Sequence, residues 1–271
     1  MNFKEYQNEL TIRGYSKETI KSYVYFNQRL LNFTKKSTNE ITLKDVQKYL
    51  LDMIEKYGAK PATLNKAMAS FKSYYSDFMK RKFLNALRSA KSEHKEPIVL
   101  TKNEIMSMID KTINIKHKLL IELLYSSGLR VGEAVKLKIE DIYFNDNFIL
   151  VKQGKGKKDR YVLTSKRFTK DATKYLEDRK DDNPYVFISD HNNHITIRTA
   201  EEVVKKAAKK ANIRRRVFPH ALRSTFATHL HQNGVDILNI QKLMGHARTE
   251  TTRGYTKTDF RMINSITSPL D

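Results

Sequence analysis

The sequence contains no cysteine. This absence excludes disulfide bridges, metal sites built from thiolates and a cysteine nucleophile. No run of apolar residues is long enough to cross a bilayer, and the first residues, MNFKEYQNEL, lack the apolar core of a secretory signal. We therefore expect a cytoplasmic protein without a membrane partner.

Acidic residues are scarce relative to basic ones. The 271 residues include 51 Lys and Arg against 30 Asp and Glu, a formal net charge of +21. Such an excess makes the folded chain repel itself, so an anionic partner is the natural explanation. The basic residues run through the whole chain, which suits DNA or RNA held against several faces. The alternative is a lysine-rich surface without a partner, although such surfaces usually mix both signs of charge.

The first part of the chain has helical periodicity. Apolar residues spaced by three and four follow Ser16, Thr42 and Pro61. Thr42 and Asp45 fit a capping box, and proline is accepted in the first turn of a helix. The stretch 88–97 (RSAKSEHKEP) is charged and aperiodic. We predict a helical domain at residues 1–87 and a basic linker at 88–97.

Residues 98–271 combine helical and strand patterns. Thr101 and Glu104 fit a second capping box, and a leucine-rich helix runs into Gly128. Residues 148–151 and 160–163 flank a turn rich in glycine and lysine, which predicts a β-hairpin.

Helical patterns then return three times. One helix is expected at Thr199, where Glu202 completes a third capping box, and another at 220–231. Asp236 can cap a last helix that Gly245 ends. The predicted fold class is mainly α with a small β-sheet or hairpin: a helical N-terminal domain followed by a mixed α+β domain.

A basic protein of this kind can hold DNA or also cut it. Cutting a phosphodiester requires a nucleophile, cations near the phosphate and a proton donor for the departing oxygen. Metals held by clustered carboxylates often supply part of this, but the acidic residues here are scattered or lie among lysines.

The C-terminal third offers other groups for this chemistry. His220 and Arg223 are three residues apart and share one helix face, which we expect to point outward. His246 follows Gly245 directly, and Tyr255 lies nine positions later. Each of these residues, taken alone, is more typical of a surface or structural role.

Five segments occur together in the order and approximate spacing of one family: GLRVGEAVKL, GKGKKDR, HALRSTFATHL, LMGH and TTRGY. Each segment alone is common, whereas all five in order are specific. The chain resembles the tyrosine recombinases, also called the phage-integrase family, and looks like a compact Xer-type member. The match covers the second domain motif by motif, and the first domain only in size, helix content and position.

The resemblance implies a role for each matched residue. Arg130 and Arg223 would clamp the scissile phosphate, and Lys155 at the hairpin tip would protonate the departing 5′ oxygen. Lys157 is the alternative candidate for the role of proton donor. Glu133 can pair with Arg130, and we expect it to be structural.

The remaining roles concern the nucleophile. The resemblance implies that His220 assists proton removal, that His246 hydrogen-bonds the phosphate and that Tyr255 attacks it. A 3′-phosphotyrosyl link and a free 5′-hydroxyl would result, without a metal or cofactor. Ser224 and Lys257 stand where the family often has histidine, which leaves the clamping arginines intact.

We therefore expect a site-specific recombinase whose two domains form a clamp around double-stranded DNA. Four protomers would assemble on two recombination sites, and the tail 256–271 would dock on a neighbouring protomer or fold onto its own domain. Resolution of chromosome or plasmid dimers is the favoured role. The alternatives are a mobile-element integrase, a type IB topoisomerase-like enzyme, a non-catalytic architectural DNA-binding protein and, less favoured, an RNA-binding protein.

Overall fold

A computed structural model describes residues 3–91, 96–152, 159–245 and 266–271 of the chain. The chain divides into two compact units, Met1–Lys95 and Glu96–Asp271. Each unit has its own hydrophobic core. The predicted fold class is confirmed, because the described residues form many helices and one small sheet.

The first unit is helical. Its α-helices are α1 (Lys4–Ile12), α2 (Lys17–Thr34), α3 (Leu43–Tyr57) and α4 (Pro61–Phe71), and α4 continues as a wider π-helical segment, Lys72–Phe78, before a 3-10 turn at Lys82–Leu84. The three predicted helix starts are confirmed: Ser16 caps α2, Thr42 and Asp45 cap α3 reciprocally, and Pro61 opens α4. Helix α1 has no counterpart among the predicted stripes.

Aromatic side chains fill much of the first core. Phe71 and Tyr75, on the long helical segment that begins at Pro61, are fully buried. The hydroxyl of Tyr6 on α1 donates to Ser73 Oγ at 2.9 Å. Tyr6 and Tyr74 meet edge to face with ring centroids 4.9 Å apart, a favourable geometry for aromatic pairs. This packing explains why the short α1 is ordered against the rest of the unit.

The second unit places a three-stranded antiparallel sheet among helices. The sheet has the order β1 (Ile142–Tyr143), β2 (Phe148–Val151) and β3 (Arg160–Leu163). The predicted hairpin is confirmed with its bounds, whereas the short β1 was not predicted. The helices are α5 (Lys102–Asp110), α6 (Ile115–Ser127), α7 (Val131–Ala134), α8 (Lys166–Glu177), α9 (Ile197–Lys210), α10 (Pro219–Gln232) and α11 (Ile237–Met244).

Helix α6 is the centre of the second unit. All its residues from Leu119 to Ser127 are buried, and it contacts α5, α8, α9 and α10. It ends at Gly128 in the left-handed conformation, with φ of 60°. A Cβ at Gly128 would lie 2.4 Å from the ring of Phe226, so both the backbone and the available space require glycine. This turn delivers the chain to Arg130.

One predicted helix start was wrong. Helix α9 begins at Ile197, and its cap is Thr196, whose hydroxyl oxygen accepts the backbone N–H of Thr199 at 3.1 Å. Thr199 is therefore the third helical residue rather than the cap, and Glu202 completes no capping box. The sequence offers a threonine at both positions, and the run ITIRTA does not distinguish them.

The end of the chain packs onto its own unit. Leu270 lies in the second core, Ser268 Oγ donates to the carbonyl of Ser126 at 3.2 Å, and Asp271 accepts the backbone N–H of Lys166 at 3.2 Å. Residues 266–271 thus follow the second of the two expectations for the tail, and residues 256–265 lie outside the described residues. None of the described helices combines the length and the apolar character of a membrane span.

The corrected start of α9 can be tested with paired substitutions. We expect Thr196→Ala to lower the free energy of unfolding by about 1 kcal/mol, because it removes the oxygen that caps the helix. Thr199→Ala is the matched control and should stay within about 0.5 kcal/mol of the wild type. Urea unfolding followed by circular dichroism measures both. A larger loss of stability for Thr199→Ala than for Thr196→Ala would instead indicate that Thr199 caps the helix.

Candidate active site

Arg130 lies between the turn that ends α6 and the start of α7. Its backbone N–H donates to Glu133 Oε2 at 2.9 Å, and its Nη1 donates to Glu133 Oε1 at 3.0 Å. Its Nη2 donates to the carbonyl oxygen of Gly245 at 3.0 Å. The predicted pairing with Glu133 is confirmed. The side chain is 29% exposed, so part of the guanidinium faces solvent.

Arg223 is buried, which corrects the expectation that it points outward with His220. Leu222 and Phe226 on α10 do enter the core as predicted, but only 3% of Arg223 is exposed. Its guanidinium donates to the carbonyl oxygens of Gly128 and Met244. Both carbonyls belong to helix ends, where helices leave carbonyl groups without partners. These two helix ends create a polar lining that a helical wheel of α10 cannot reveal.

The surroundings of Arg223 disfavour its charged form. Burial lowers the pKa of Arg223 to about 10, and the positive charge of Arg130 acts in the same direction. The guanidinium is still protonated at neutral pH. An anion placed between the two arginines would relieve this unfavourable environment, as expected for a phosphate site.

The two arginines meet at the C-terminal end of α11. Met244 and Gly245 are consecutive, and their carbonyl oxygens accept hydrogen bonds from Arg223 and Arg130 respectively. The carbonyl end of a helix carries partial negative charge, which favours cations. Each guanidinium has five N–H donors. Two of the five bind protein oxygens in each case, so both retain donors for a phosphate.

Glu133, whose side chain is 14% exposed, is a second charged group in the same place. Burial raises the pKa of its carboxyl, but hydrogen bonds and charge from Arg160 outweigh this effect, with a smaller contribution from Arg130, and the net pKa is below the ordinary value. Arg160 Nη1 and Nη2 lie 3.0 and 2.7 Å from the two carboxylate oxygens. Arg160 was missed as a site residue, although it is the last letter of the GKGKKDR motif.

His220 lies in the first turn of α10, one turn before Arg223. It is exposed, and its ring is nearly parallel to that of Phe218, with centroids 6.5 Å apart. An exposed imidazole on the helix that carries the buried arginine is accessible to a ligand. The structure thus leaves His220 exposed and buries Arg223, although the HxxR spacing places both on one side of the helix.

Three predicted site residues, Lys155, His246 and Tyr255, lie outside the described residues. The described residues show where the segments that contain Lys155 and His246 begin. Lys155 belongs to the connection between β2 and β3, and His246 follows Gly245, whose carbonyl Arg130 binds. The structure therefore brings together Arg130, Arg223 and the predicted partner Glu133, adds Arg160, and leaves the other roles as predictions.

The ion pairs of Glu133 make stability depend on pH. Its lowered pKa means that its contribution is complete above the ordinary glutamate value of about 4.3 and is lost as pH falls through the folded-state pKa. We expect Glu133→Gln to cost about 3 kcal/mol at pH 7, because buried Arg160 loses its counter-charge. The difference from wild type should shrink below about pH 4.

Urea unfolding at pH 7, 5 and 3 measures this difference, and Glu177→Gln is the control because Glu177 is exposed. The control should change stability by less than about 0.5 kcal/mol at each pH. A cost for Glu133→Gln that stays constant down to pH 3 would contradict the assignment of the lowered pKa.

Comparison with known proteins identifies both units. The Phage integrase family model matches residues 99–262, and the model of the phage integrase N-terminal SAM-like domain matches residues 3–85. Tyrosine recombinase XerA of Pyrococcus horikoshii is 37% identical over 257 residues, which cover 94% of this chain and 88% of the relative. Tyrosine recombinase XerA of Pyrococcus furiosus is 34% identical over 259 residues, with coverage of 94% and 88%.

Solved structures have the same architecture. The crystal structure of XerA recombinase matches with a TM-score of 0.54 and 28% identity, covering 95% of this chain and 90% of that chain. A lambda integrase dimer bound to a COC' core site matches with a TM-score of 0.71 and 19% identity, covering 93% and 96%, a likeness that shows the fold alone. The chain belongs to the phage integrase family and is a compact Xer-type tyrosine recombinase, a site-specific enzyme that breaks and rejoins DNA strands.

Proposed function

We propose that Arg130 and Arg223 hold the scissile phosphate of a recombination site while Tyr255 attacks it. The observation that carries this proposal is the meeting of both arginines at the end of α11, one residue before His246. Two guanidiniums stabilise the charge that grows on a pentacoordinate phosphate better than one. Their planar forks also suit phosphate oxygens, to which they can donate parallel hydrogen bonds.

The remaining steps follow from the roles that the family resemblance implies. The Tyr255 oxygen forms a bond to phosphorus as its proton leaves with the assistance of His220. The bond from phosphorus to the 5′ oxygen breaks, and Lys155 supplies a proton to that oxygen. His246 donates a hydrogen bond to a phosphate oxygen. The products are a 3′-phosphotyrosyl link and a free 5′-hydroxyl.

Rejoining is the same step in reverse. The phosphotyrosyl bond retains the energy of the phosphodiester, so the 5′-hydroxyl of another strand can displace the tyrosine without a nucleotide cofactor. The side chains of Arg130, Arg223 and Lys155 supply positive charge where many nucleases use metal ions. We propose that this reaction proceeds without a metal.

The partner of the reaction is duplex DNA carrying a specific site. The net charge of +21 supports DNA as the partner, as do the DNA-bound lambda and Tn1549 transposon integrases of the same fold. The Xer relatives support a role in resolving chromosome or plasmid dimers. We propose that four protomers assemble on two sites and exchange the strands in pairs.

Tyr255 can be tested directly as the nucleophile. A duplex with a nick beside the cleavage point loses a short fragment after cleavage and traps the covalent protein–DNA product. We expect a covalent band on a denaturing gel with the wild type, also in the presence of EDTA. Tyr255→Phe should abolish it while DNA binding persists, because phenylalanine lacks the attacking oxygen.

Tyr143→Phe is the matched control, because Tyr143 lies in β1, is exposed and stacks on Phe148. A covalent band retained in Tyr255→Phe would assign the nucleophile elsewhere. Loss of the band with EDTA would contradict the metal-free mechanism. Relaxation of supercoiled plasmid lacking a recombination site would favour the topoisomerase alternative.

A substrate with a better leaving group can distinguish Lys155 from Lys157 as the proton donor. Lys155→Ala should slow cleavage of the natural substrate by about a hundredfold or more, as expected for loss of a general acid. A substrate with sulfur in place of the bridging 5′ oxygen should restore the rate, because a thiolate departs without protonation. Lys157→Ala, which removes a neighbouring charge, should affect both substrates equally. The reverse pattern would assign the acid role to Lys157.

A further inference from the structure

Arg160, the first residue of β3, is a buried arginine that the proposed reaction does not use. Only 5% of it is exposed. Its two terminal nitrogens bind the two oxygens of Glu133, and its Nε donates to the carbonyl oxygen of Leu243 at 3.2 Å. Each guanidinium nitrogen is therefore directed at a protein acceptor. Arg160 is placed to organise the site rather than to contact DNA.

The contacts of Arg160 join two parts of the site. Glu133, its carboxylate partner, also binds the backbone and side chain of Arg130. Leu243, its carbonyl partner, lies in the last turn of α11, two residues before Gly245. Arg160 therefore links the segment that carries Arg130 to the helix end from which the chain continues to His246.

Gly245 strengthens this link by close approach. It has a φ of 62°, in the left-handed region that favours glycine. A Cβ at this position would lie 3.0 Å from both Cδ and Nε of Arg160, so the arginine side chain lies directly against the turn. The turn sets the direction in which the chain leaves α11, and Arg160 occupies the space beside it.

A buried ion pair by itself says little about stability, because a well-packed apolar pair is often as stable. What the pair of Arg160 and Glu133 adds is orientation. A bidentate arginine–carboxylate pair fixes the relative angle of both groups, and the third bond from Nε transfers that orientation to the end of α11. Lysine carries the same charge but lacks the planar fork.

We propose that Arg160 is a positioning residue that aligns the end of α11 with Arg130, and so holds the phosphate clamp in the geometry that strand cleavage requires. Its contribution lies in the rate of strand cleavage rather than in DNA affinity. This inference rests on the proposed function of Tyr255, Arg130 and Arg223.

The experiment compares Arg160→Met and Arg160→Lys with a matched control, Arg179→Met. Arg179 is also an arginine with a buried side chain, 8% exposed, and pairs with Asp181. It donates to the carbonyl oxygens of Asn183 and Tyr185, and none of these partners belongs to the site. The control thus removes an arginine whose side chain is similarly buried and pairs with a carboxylate, the exposed Asp181, without touching the end of α11.

Three quantities are measured on the full chain. The first is the single-turnover rate of covalent product formation on the nicked duplex at saturating protein, between pH 5 and 8. The second is the dissociation constant for the same duplex, and the third is the thermal unfolding midpoint. A purely structural role would alter the third without changing the pH dependence of the first.

We expect Arg160→Met to reduce the cleavage rate by roughly a hundredfold, because small misplacements of reacting groups have effects of this size. The dissociation constant should stay within about threefold, which would place the loss in the transition state. Without the Arg160 charge, the effect of burial dominates and raises the pKa of Glu133. As the pH is lowered, the cleavage rate of Arg160→Met should therefore begin to fall at a higher pH than that of the wild type.

Arg160→Lys separates charge from geometry. Because it keeps a positive charge beside Glu133, we expect the pH profile of the wild type. Because it lacks the fork and the bond from Nε, we expect the rate to stay at least about tenfold low. Arg179→Met should lower the unfolding midpoint and leave the rate and the pH profile unchanged. If Arg160→Met does not fold, Arg160→Lys decides the question by its rate.

Two results would overturn the inference. Equal losses of rate in Arg160→Met and Arg179→Met, with the wild-type pH profile in both, would make Arg160 merely structural. A full wild-type rate in Arg160→Lys would make charge, not alignment, the contribution of Arg160. The proposed function fails separately, when the wild type itself gives no covalent product or Tyr255→Phe still gives one.

Discussion

Three consecutive carbonyl oxygens at the end of α11 each accept a hydrogen bond from a different arginine. Arg160 binds Leu243, Arg223 binds Met244 and Arg130 binds Gly245. A helix end needs partners for such carbonyls, and here the partners come from α10, β3 and the segment before α7. The rest of the second unit can be understood as the scaffold that delivers these guanidiniums to one helix end.

The electrostatic balance at this point favours an anion. Among the described residues, Glu133 is the carboxylate that pairs with Arg130 and Arg160, and the low pKa of Arg223 reflects burial beside further positive charge. Interactions between charges are stronger where water is excluded. The site therefore holds positive charge that a phosphate oxygen can compensate, and this is the property that a strand-cleaving enzyme needs before its nucleophile acts.

The apolar scaffold gives this arrangement its geometry. Helix α6 is buried along most of its length, and its end is defined by Gly128, against which Phe226 packs. Phe226 belongs to the same helix as Arg223, so the packing that fixes α10 also fixes the guanidinium. Close-packed interiors tolerate few changes of volume. The same contact therefore connects the hydrophobic core to the phosphate clamp.

Much of the fold was predictable because its signals are local. The hairpin bounds, the cap at Asp236 and the terminating Gly245 follow from turn and capping chemistry, which acts over a few residues. The start of α9 was misplaced because two threonines offer equivalent local signals. The short β1 was missed because its 2 residues are too few to show an alternating pattern, although its partner β2 follows closely in the chain.

The sequence by itself determined the family, because five motifs in a fixed order indicate both the reaction and the residues expected to perform it. These motifs can be recognised without knowing how the chain folds. Only the tertiary structure decided which of these residues are buried and what they bind. Arg223 points inward because the ends of α6 and α11 offer carbonyls there, and Arg160 becomes part of the site because β3 passes beside α11. Hydrogen-bond partners that lie far apart in the chain leave no periodic pattern in it, and only folding brings them within reach.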